Sequence, residues 1–248
     1  MAKLSSVDQT LLAAVGHQVI QRMHEHSPRQ LANVAWSFGT TRHLDKSCLA
    51  AMAPLLQNQL RELQPFELQN TLWAWARLQL RNEMLFQATC DCARETALDF
   101  APKNLAGMAW AAAALKISDL PLLEAMSAAA LTKIQRFDAR SLASFAWAIA
   151  EIQFVDIAVF KAVGSKVPAY RNEFNSQDLS NITWAFAAVR VRDEAVMKVL
   201  SDASIAKIDQ FKPTELASTA WAFGKLCILD EPLMANIASK AVAKMSGF

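Results

Sequence analysis

A tryptophan recurs every 37 residues along the chain, and hydrophobic and polar residues keep fixed distances from it. The six tryptophans are Trp36, Trp73, Trp110, Trp147, Trp184 and Trp221. Repeat positions are numbered here from the tryptophan, so that position −5 lies five residues before it. Position −5 is always leucine, position +3 is alanine or glycine, and position +9 is aspartate or asparagine. A constant period without insertions predicts a repeat protein.

The residues around each tryptophan have the spacing of a helix. Apolar residues at positions −5, −2, +2 and +5, such as Leu142, Phe145, Ile149 and Ile152, share one helical face. The tryptophan and the small residue at +3 form a second apolar face, so we expect neighbouring repeats to cover this first helix from two sides. We expect the helix to begin near the polar residue at position −6. In four repeats a proline at position −8 is expected to end the preceding helix.

A second helix is predicted to follow in each repeat. Its N-cap is the aspartate or asparagine at +9, and it is expected to run to about a closing leucine or phenylalanine at +27, the last being Phe248. Residues 8–25 match the second helix of a partial leading repeat. Because the chain opens in mid-repeat and stops on a repeat boundary, we expect a piece of a longer array or ends covered by partners.

The predicted fold is therefore all-α: an α-solenoid of stacked antiparallel helix pairs with a 37-residue repeat, in a single array over residues 1–248. The six predicted repeats span residues 30–63, 67–100, 104–137, 141–174, 178–211 and 215–248.

Composition narrows the classes of function. Hydrophobic residues make up 53% of the chain, and the net charge of +2 is too small to indicate a polyanionic partner by itself. The four cysteines lie at different repeat positions, so we expect no disulfide framework and a reducing compartment. No apolar run is long enough to span a bilayer. We found no motif for a catalytic residue, a metal or a cofactor, and we expect none of the three.

A third face of each first helix is small and partly polar. Position −3 is always asparagine, serine or glycine, and positions +1 and +4 complete the face. Asparagine and serine are poor interior helix formers, so their recurrence needs a reason. One hypothesis is that they hydrogen-bond to unstacked RNA bases, one base per repeat. The other is that small polar residues permit tight packing or cap a neighbouring helix. The candidate base-contacting residues are Asn33, Asn70, Ser144, Asn181 and Ser218.

Charge is distributed unevenly over the repeat. Positions −7 to +8 carry ten basic and four acidic residues in total, and the rest of the chain carries fifteen basic and nineteen acidic ones. The asymmetry suits a side that faces phosphates. The candidate phosphate-contacting residues are Arg29, Arg77, Lys103, Arg140 and Lys225. The six tryptophans, in contrast, are interpreted as packing anchors and not as base-stacking surfaces, and Trp75 is interpreted as core.

The segments Leu-Ala-Asn-Val-Ala-Trp-Ser-Phe (residues 31–38), Leu-Ala-Ser-Phe-Ala-Trp-Ala-Ile (142–149) and Leu-Ala-Ser-Thr-Ala-Trp-Ala-Phe (216–223) resemble the heptatricopeptide and octotricopeptide repeats of organellar RNA-binding proteins. The resemblance implies binding to messenger or ribosomal RNA in a mitochondrion or chloroplast. The chain contains neither the RAP-type endonuclease-like domain of that family nor a targeting peptide, so the resemblance implies no nuclease activity here.

Two functions follow as hypotheses. The first is a non-catalytic scaffold that binds single-stranded RNA in organellar RNA metabolism or translation. The alternative is a protein–protein scaffold, or a structural subunit of a large assembly such as a ribosome, that binds a helix or an extended peptide. The near-neutral net charge favours the alternative. Salt separates the two, because RNA affinity falls steeply with ionic strength and an apolar groove hardly responds.

Overall fold

A computed structural model of the chain describes residues 9–245, and within this range every regular element is helical. The helices are α1 (Gln9–Gln21), α2 (Pro28–Thr41), α3 (Lys46–Gln59), α4 (Pro65–Arg77), α5 (Glu83–Glu95), α6 (Pro102–Leu115), α7 (Leu120–Lys133), α8 (Ala139–Glu151), α9 (Ile157–Tyr170), α10 (Ser176–Ala188), α11 (Glu194–Ala206), α12 (Pro213–Lys225) and α13 (Glu231–Met245). The first helices of the six repeats are α2, α4, α6, α8, α10 and α12. Residue 8 of the predicted leading segment and the predicted closing residue Phe248 lie outside the described range.

Each first helix begins two residues earlier than predicted. The prolines at position −8 start these helices and do not end the preceding ones. Proline is favoured as a first helical residue because its fixed φ suits the helix and no N–H is needed there. The polar residue at −6 is the third residue of the helix, and in four repeats its side chain accepts a hydrogen bond from the backbone N–H of the cap residue. The backbone N–H of Gln64 donates to Glu67 at 2.8 Å, and that of Lys212 donates to Glu215 at 2.8 Å.

The turn between the two helices of a repeat has the same backbone conformation every time. The residue at position +6 adopts left-handed φ values between 54° and 63° in all six repeats. The N–H at +7 then donates to the carbonyl at +2, as Leu80 does to Trp75 at 3.0 Å. This pattern ends a helix and reverses the chain, and it usually uses glycine. Here none of the six residues is glycine, so this conformation could not be predicted from the residue types at position +6.

The predicted caps of the second helices are confirmed. In every repeat the carboxylate or amide oxygen at +9 accepts the backbone N–H three residues on, as Asp45 does from Cys48 at 2.9 Å. In most repeats the helix gives way to a short 3-10 turn before the closing residue at +27. The closing side chains at residues 63, 100, 137, 174 and 211 are buried.

The described chain divides into two compact units, residues 9–126 and 127–245, called here the N-terminal and C-terminal units. In the N-terminal unit α2 packs on α4 and α4 on α6, while α1, α3 and α5 pack in a second row. In the C-terminal unit α8, α10 and α12 form the row of first helices, and α9, α11 and α13 form the second row. The predicted fold class, all-α with stacked antiparallel helix pairs in a solenoid repeat, is confirmed. A single array over the whole chain stays a prediction.

Small residues at position +3 bring the first helices together, as predicted. A Cβ atom on Gly39 would lie 3.0 Å from the ring of Trp73 and 3.1 Å from the Cα of Ala74, on the next first helix. Two of the four predicted core positions are confirmed throughout, since the side chains at −5 and +2 are buried in all six repeats. The other two, −2 and +5, are buried in most repeats, with Val34, Thr41 and Ile152 half-buried. Among residues 9–245, no helix has both the length and the apolar character needed to cross a membrane.

Candidate functional site

One face of every first helix remains accessible to solvent. It carries positions −7, −3, 0 and +4, which lie within one helical stripe because they are spaced by three or four residues. None of the residues at these positions is buried in any repeat. We call this set the open face. In the first repeat it consists of Arg29, Asn33, Trp36 and Thr40, all of them exposed.

The candidate base-contacting residues at position −3 all lie on the open face. Asn33 is exposed, and Asn70, Ser144, Asn181 and Ser218 are half-buried. Asn181 accepts a hydrogen bond from Gln177 on the same helix, at 2.8 Å. The other four side chains make no hydrogen bond within residues 9–245, so their polar groups are available to a ligand.

The predicted third face is wrong at position +1. Alanine occupies this position in the last five repeats and is buried in each of them, and Ser37 in the first repeat is half-buried. Position +1 lies about 100° around the helix from the tryptophan, which turns it toward the neighbouring first helix. Ala74 shows this directly, because its backbone faces Gly39 of α2.

The tryptophans take the place of position +1 on the open face, contrary to the prediction. Trp36 is 43% exposed and Trp221 is 46% exposed, and the four others are half-buried. They lie at the border between the packed residue at +3 and the open residue at −3, so each ring both packs and faces solvent. The six rings therefore pack, as the interpretation as packing anchors predicts, and they are also accessible to solvent, which it did not predict. Trp75 is 2% exposed, which confirms it as core.

Neighbouring tryptophans touch within each unit. The ring centroids of Trp73 and Trp110 are 6.4 Å apart, and those of Trp184 and Trp221 are 6.2 Å apart and stacked at 26°. The ammonium group of Lys225 lies 6.0 Å from the centroid of the Trp221 ring. The open face thus combines a row of aromatic rings with hydrogen-bonding groups and a cation. Such rows favour flat, π-rich ligands.

The five candidate phosphate-contacting residues are exposed, but two of them have partners in the next repeat. Arg29 forms an ion pair with the buried carboxylate of Glu67 at 2.8 Å. Arg140 forms no ion pair within residues 9–245, but its positive charge acts on the carboxylate of Asp178 in the next repeat. Burial raises the pKa of the Asp178 carboxyl, while the N–H of Asn175 and the positive charge of Arg140 lower it. Arg29 and Arg140 therefore help to hold acidic helix starts, a role that sequence spacing did not reveal.

The other three cations remain open. Within residues 9–245, Arg77, Lys103 and Lys225 have no carboxylate within 4 Å. Arg77 and Lys103 lie on adjacent helices of the N-terminal unit, and Lys225 lies on α12 of the C-terminal unit. These three are the cations best placed for a phosphate.

Two buried thiols of the described chain are held in an unreactive form. Burial, with a smaller contribution from Asp45, raises the pKa of the Cys48 thiol to about 11, and burial likewise raises the pKa of Cys90 to about 12. A protonated buried thiol is a poor nucleophile. Among residues 9–245, no three His, Cys, Asp or Glu side chains are grouped so that they could hold a metal ion.

Comparison with known proteins adds one match. The family model for RESC6, the RNA-editing substrate-binding complex 6 protein, matches residues 128–248. The matched segment covers slightly less than half of the chain. It includes α8–α13 and the tryptophans of the last three repeats, Trp147, Trp184 and Trp221. No curated protein matches the sequence.

Proposed function

We propose that this chain is a non-catalytic helical-repeat protein that binds single-stranded RNA through the open face. The observation that carries the proposal is that every first helix presents, on one accessible stripe, a tryptophan and a small or polar residue one turn before it. Unstacked bases stack on aromatic rings and offer their edges to hydrogen-bonding groups. The match of residues 128–248 to a protein of an RNA-editing substrate-binding complex supports the same ligand.

In this mechanism the three open cations Arg77, Lys103 and Lys225 neutralise phosphates, and Arg29 and Arg140 contribute charge while they hold the neighbouring helix start. The bases lie against the tryptophans and reach Asn33, Asn70, Ser144, Asn181 and Ser218. We propose one nucleotide per repeat, as in other helical repeats that read RNA. No side chain of the open face is required to act as an acid, base or nucleophile.

We propose a role in organellar RNA metabolism, with the mitochondrion as the first location to test. The support is the resemblance of the repeat to organellar RNA-binding families, together with the RNA-editing match. Heptatricopeptide and octotricopeptide membership remains part of the proposal. Other proteins of an RNA-handling complex are the further partners that this role requires.

A second candidate function is a protein-binding scaffold within such a complex. The specific observation in its favour is the exposure of large aromatic side chains on the open face, namely Trp36, Trp221 and Phe66, which is 41% exposed. Protein interfaces are enriched in such residues. The two functions differ in their response to salt, because only the RNA complex releases counterions.

The test is selection from a randomised single-stranded RNA pool at two salt concentrations, with the enriched sequences read out. We expect a short motif whose affinity falls as salt rises. Asn70→Ala should flatten the preference at one position of that motif. Asn58→Ala is the matched control, because Asn58 is exposed on the second helix α3 and should leave the motif unchanged. Absence of binding at low salt would reject RNA as the ligand and favour the protein scaffold.

A further inference from the structure

The third repeat lacks a side chain at the base-contacting position. Position −3 is Gly107 there, whereas the other five repeats have asparagine or serine. A glycine offers no donor or acceptor beyond its backbone. In an interior helical position glycine is also less favourable than alanine, so its presence in α6 needs a local reason.

The space above Gly107 is filled by a side chain from the preceding first helix. A Cβ atom on Gly107 would lie 2.7 Å from Cδ and 2.9 Å from Nε2 of Gln69, so a side chain at position 107 would require the Gln69 side chain to move away. Asn104, on the same helix as Gly107, donates a hydrogen bond to Oε1 of Gln69 at 3.5 Å. The amide of Gln69 therefore occupies the space in which the other repeats carry their polar side chain at position −3.

Gln69 is unusual for its own place in the repeat. It occupies position −4, where the other five repeats have only alanine or serine, and it is half-buried on α4. A long polar side chain therefore occurs at −4 only in the second repeat. The repeat that follows it is the one in which position −3 has no side chain. The Nε2 group of Gln69 makes no hydrogen bond within residues 9–245, so it can donate to a ligand.

We propose that Gln69 is the base-contacting residue of the third repeat, supplied by the second repeat in place of a side chain at Gly107. The proposal rests on the RNA-binding function argued above. The ligand of the amide is the edge of a nucleobase, for which glutamine has both a donor and an acceptor. Asn104 holds the amide oxygen, which leaves Nε2 as the group that faces the base.

The experiment repeats the selection with Gln69→Ala and with the double variant Gln69→Ala/Gly107→Asn. Gln69→Ala should flatten the preference at a single motif position, adjacent to the one affected by Asn70→Ala. Affinity for the consensus RNA should fall roughly tenfold, the scale of one lost base contact. The double variant should regain a preference at that position, now resembling the one given by Asn70, because the removal of the glutamine opens the space for an asparagine.

Controls separate this inference from the proposed function. Gln57→Ala removes another half-buried glutamine of the same unit, on the second helix α3, and should leave the motif and the affinity unchanged. A motif that is identical for the natural chain and Gln69→Ala would overturn the role of Gln69, with RNA binding still standing. A failure of the natural chain itself to enrich any RNA would overturn the proposed function and this inference together.

Discussion

At the scale of single residues, the tryptophans show how one residue type can have two environments in the same helix. Trp73 and Trp75 are two residues apart on α4, yet Trp75 is buried in the core and Trp73 lies half-open beside Trp110. The difference comes from the roughly 200° that separates two such positions around a helix. Sequence spacing assigns both to apolar faces, and only the neighbouring helices determine how much of each ring is covered.

The most exposed ring, Trp221, provides the direct test of base stacking. We expect Trp221→Leu to weaken binding of a single-stranded RNA by roughly 5- to 150-fold, because one base–aromatic contact contributes about 1–3 kcal/mol. The ring is already in contact with Trp184 and so is held in place for a base. The same substitution should leave the affinity for an abasic strand of equal length unchanged. Fluorescence anisotropy with both strands measures the difference.

Leucine retains apolar surface at position 221, so this substitution also separates stacking from a purely hydrophobic contact. Equal losses with the base-containing and the abasic strand would contradict stacking on this ring. Circular dichroism of Trp221→Leu serves as the control for folding. Intrinsic fluorescence provides an independent measure, since stacked bases should quench the natural chain more strongly than the variant.

At the scale of the helices and turns, all six repeats share a left-handed residue at position +6 that could not be predicted from the sequence. Six residues with a Cβ atom occupy a conformation that glycine tolerates best. Three of them, Arg42, Lys116 and Arg190, are basic and lie at the carboxyl end of a helix, where the helix dipole favours positive charge. Gln79 and Gln153 are uncharged, so no interaction with the helix dipole offsets the strain of their left-handed conformation.

We expect Gln79→Gly and Gln153→Gly each to raise the free energy of unfolding by about 0.5–1 kcal/mol, because the strain that is relieved exceeds the added entropy of the unfolded chain. The two sites lie in turns of different units, so we expect their effects to add. Thermal or urea unfolding measures the gain. Gln79→Ala keeps the Cβ atom and should give none, and a gain from alanine equal to that from glycine would argue against relief of strain.

The boundaries of these elements show what the sequence could and could not predict. The N-caps at +9 were predictable, because an aspartate or asparagine before an apolar helical pattern satisfies free backbone N–H groups in any context. The start of the first helices was predicted two residues late, because proline both ends helices and begins them. The tryptophan, and not the residue at +1, lies on the open face because the adjacent first helix covers position +1. A period of 37 residues does not show which side of a helix its neighbour will cover.

At the scale of the whole molecule, the nearly balanced net charge conceals two different populations of basic residues. Those on the first helices include the three open cations. Several on the second helices, or in the 3-10 turns that follow them, have a local acidic partner: Arg61 pairs with Glu95 at 2.9 Å and Lys240 with Asp209 at 2.7 Å. Salt-dependent binding to a polyanion is governed by the cations that contact it, and the net charge has less influence. Composition alone could not distinguish these cases.

Two triple variants with the same net charge separate local contact from overall charge. Arg77→Ala/Lys103→Ala/Lys225→Ala removes the open cations of the first helices, and Lys46→Ala/Arg136→Ala/Lys161→Ala removes three exposed basic residues outside the first helices. Both change the net charge from +2 to −1. We expect the first triple variant to lose most of its RNA affinity and to reduce the slope of log K against log salt by up to about 2, since each single-strand phosphate contact contributes about 0.7. The second should retain the affinity and the slope of the natural chain. Equal losses of RNA affinity in the two variants would mean that binding responds to the overall charge. That result would argue against the open face as the binding surface.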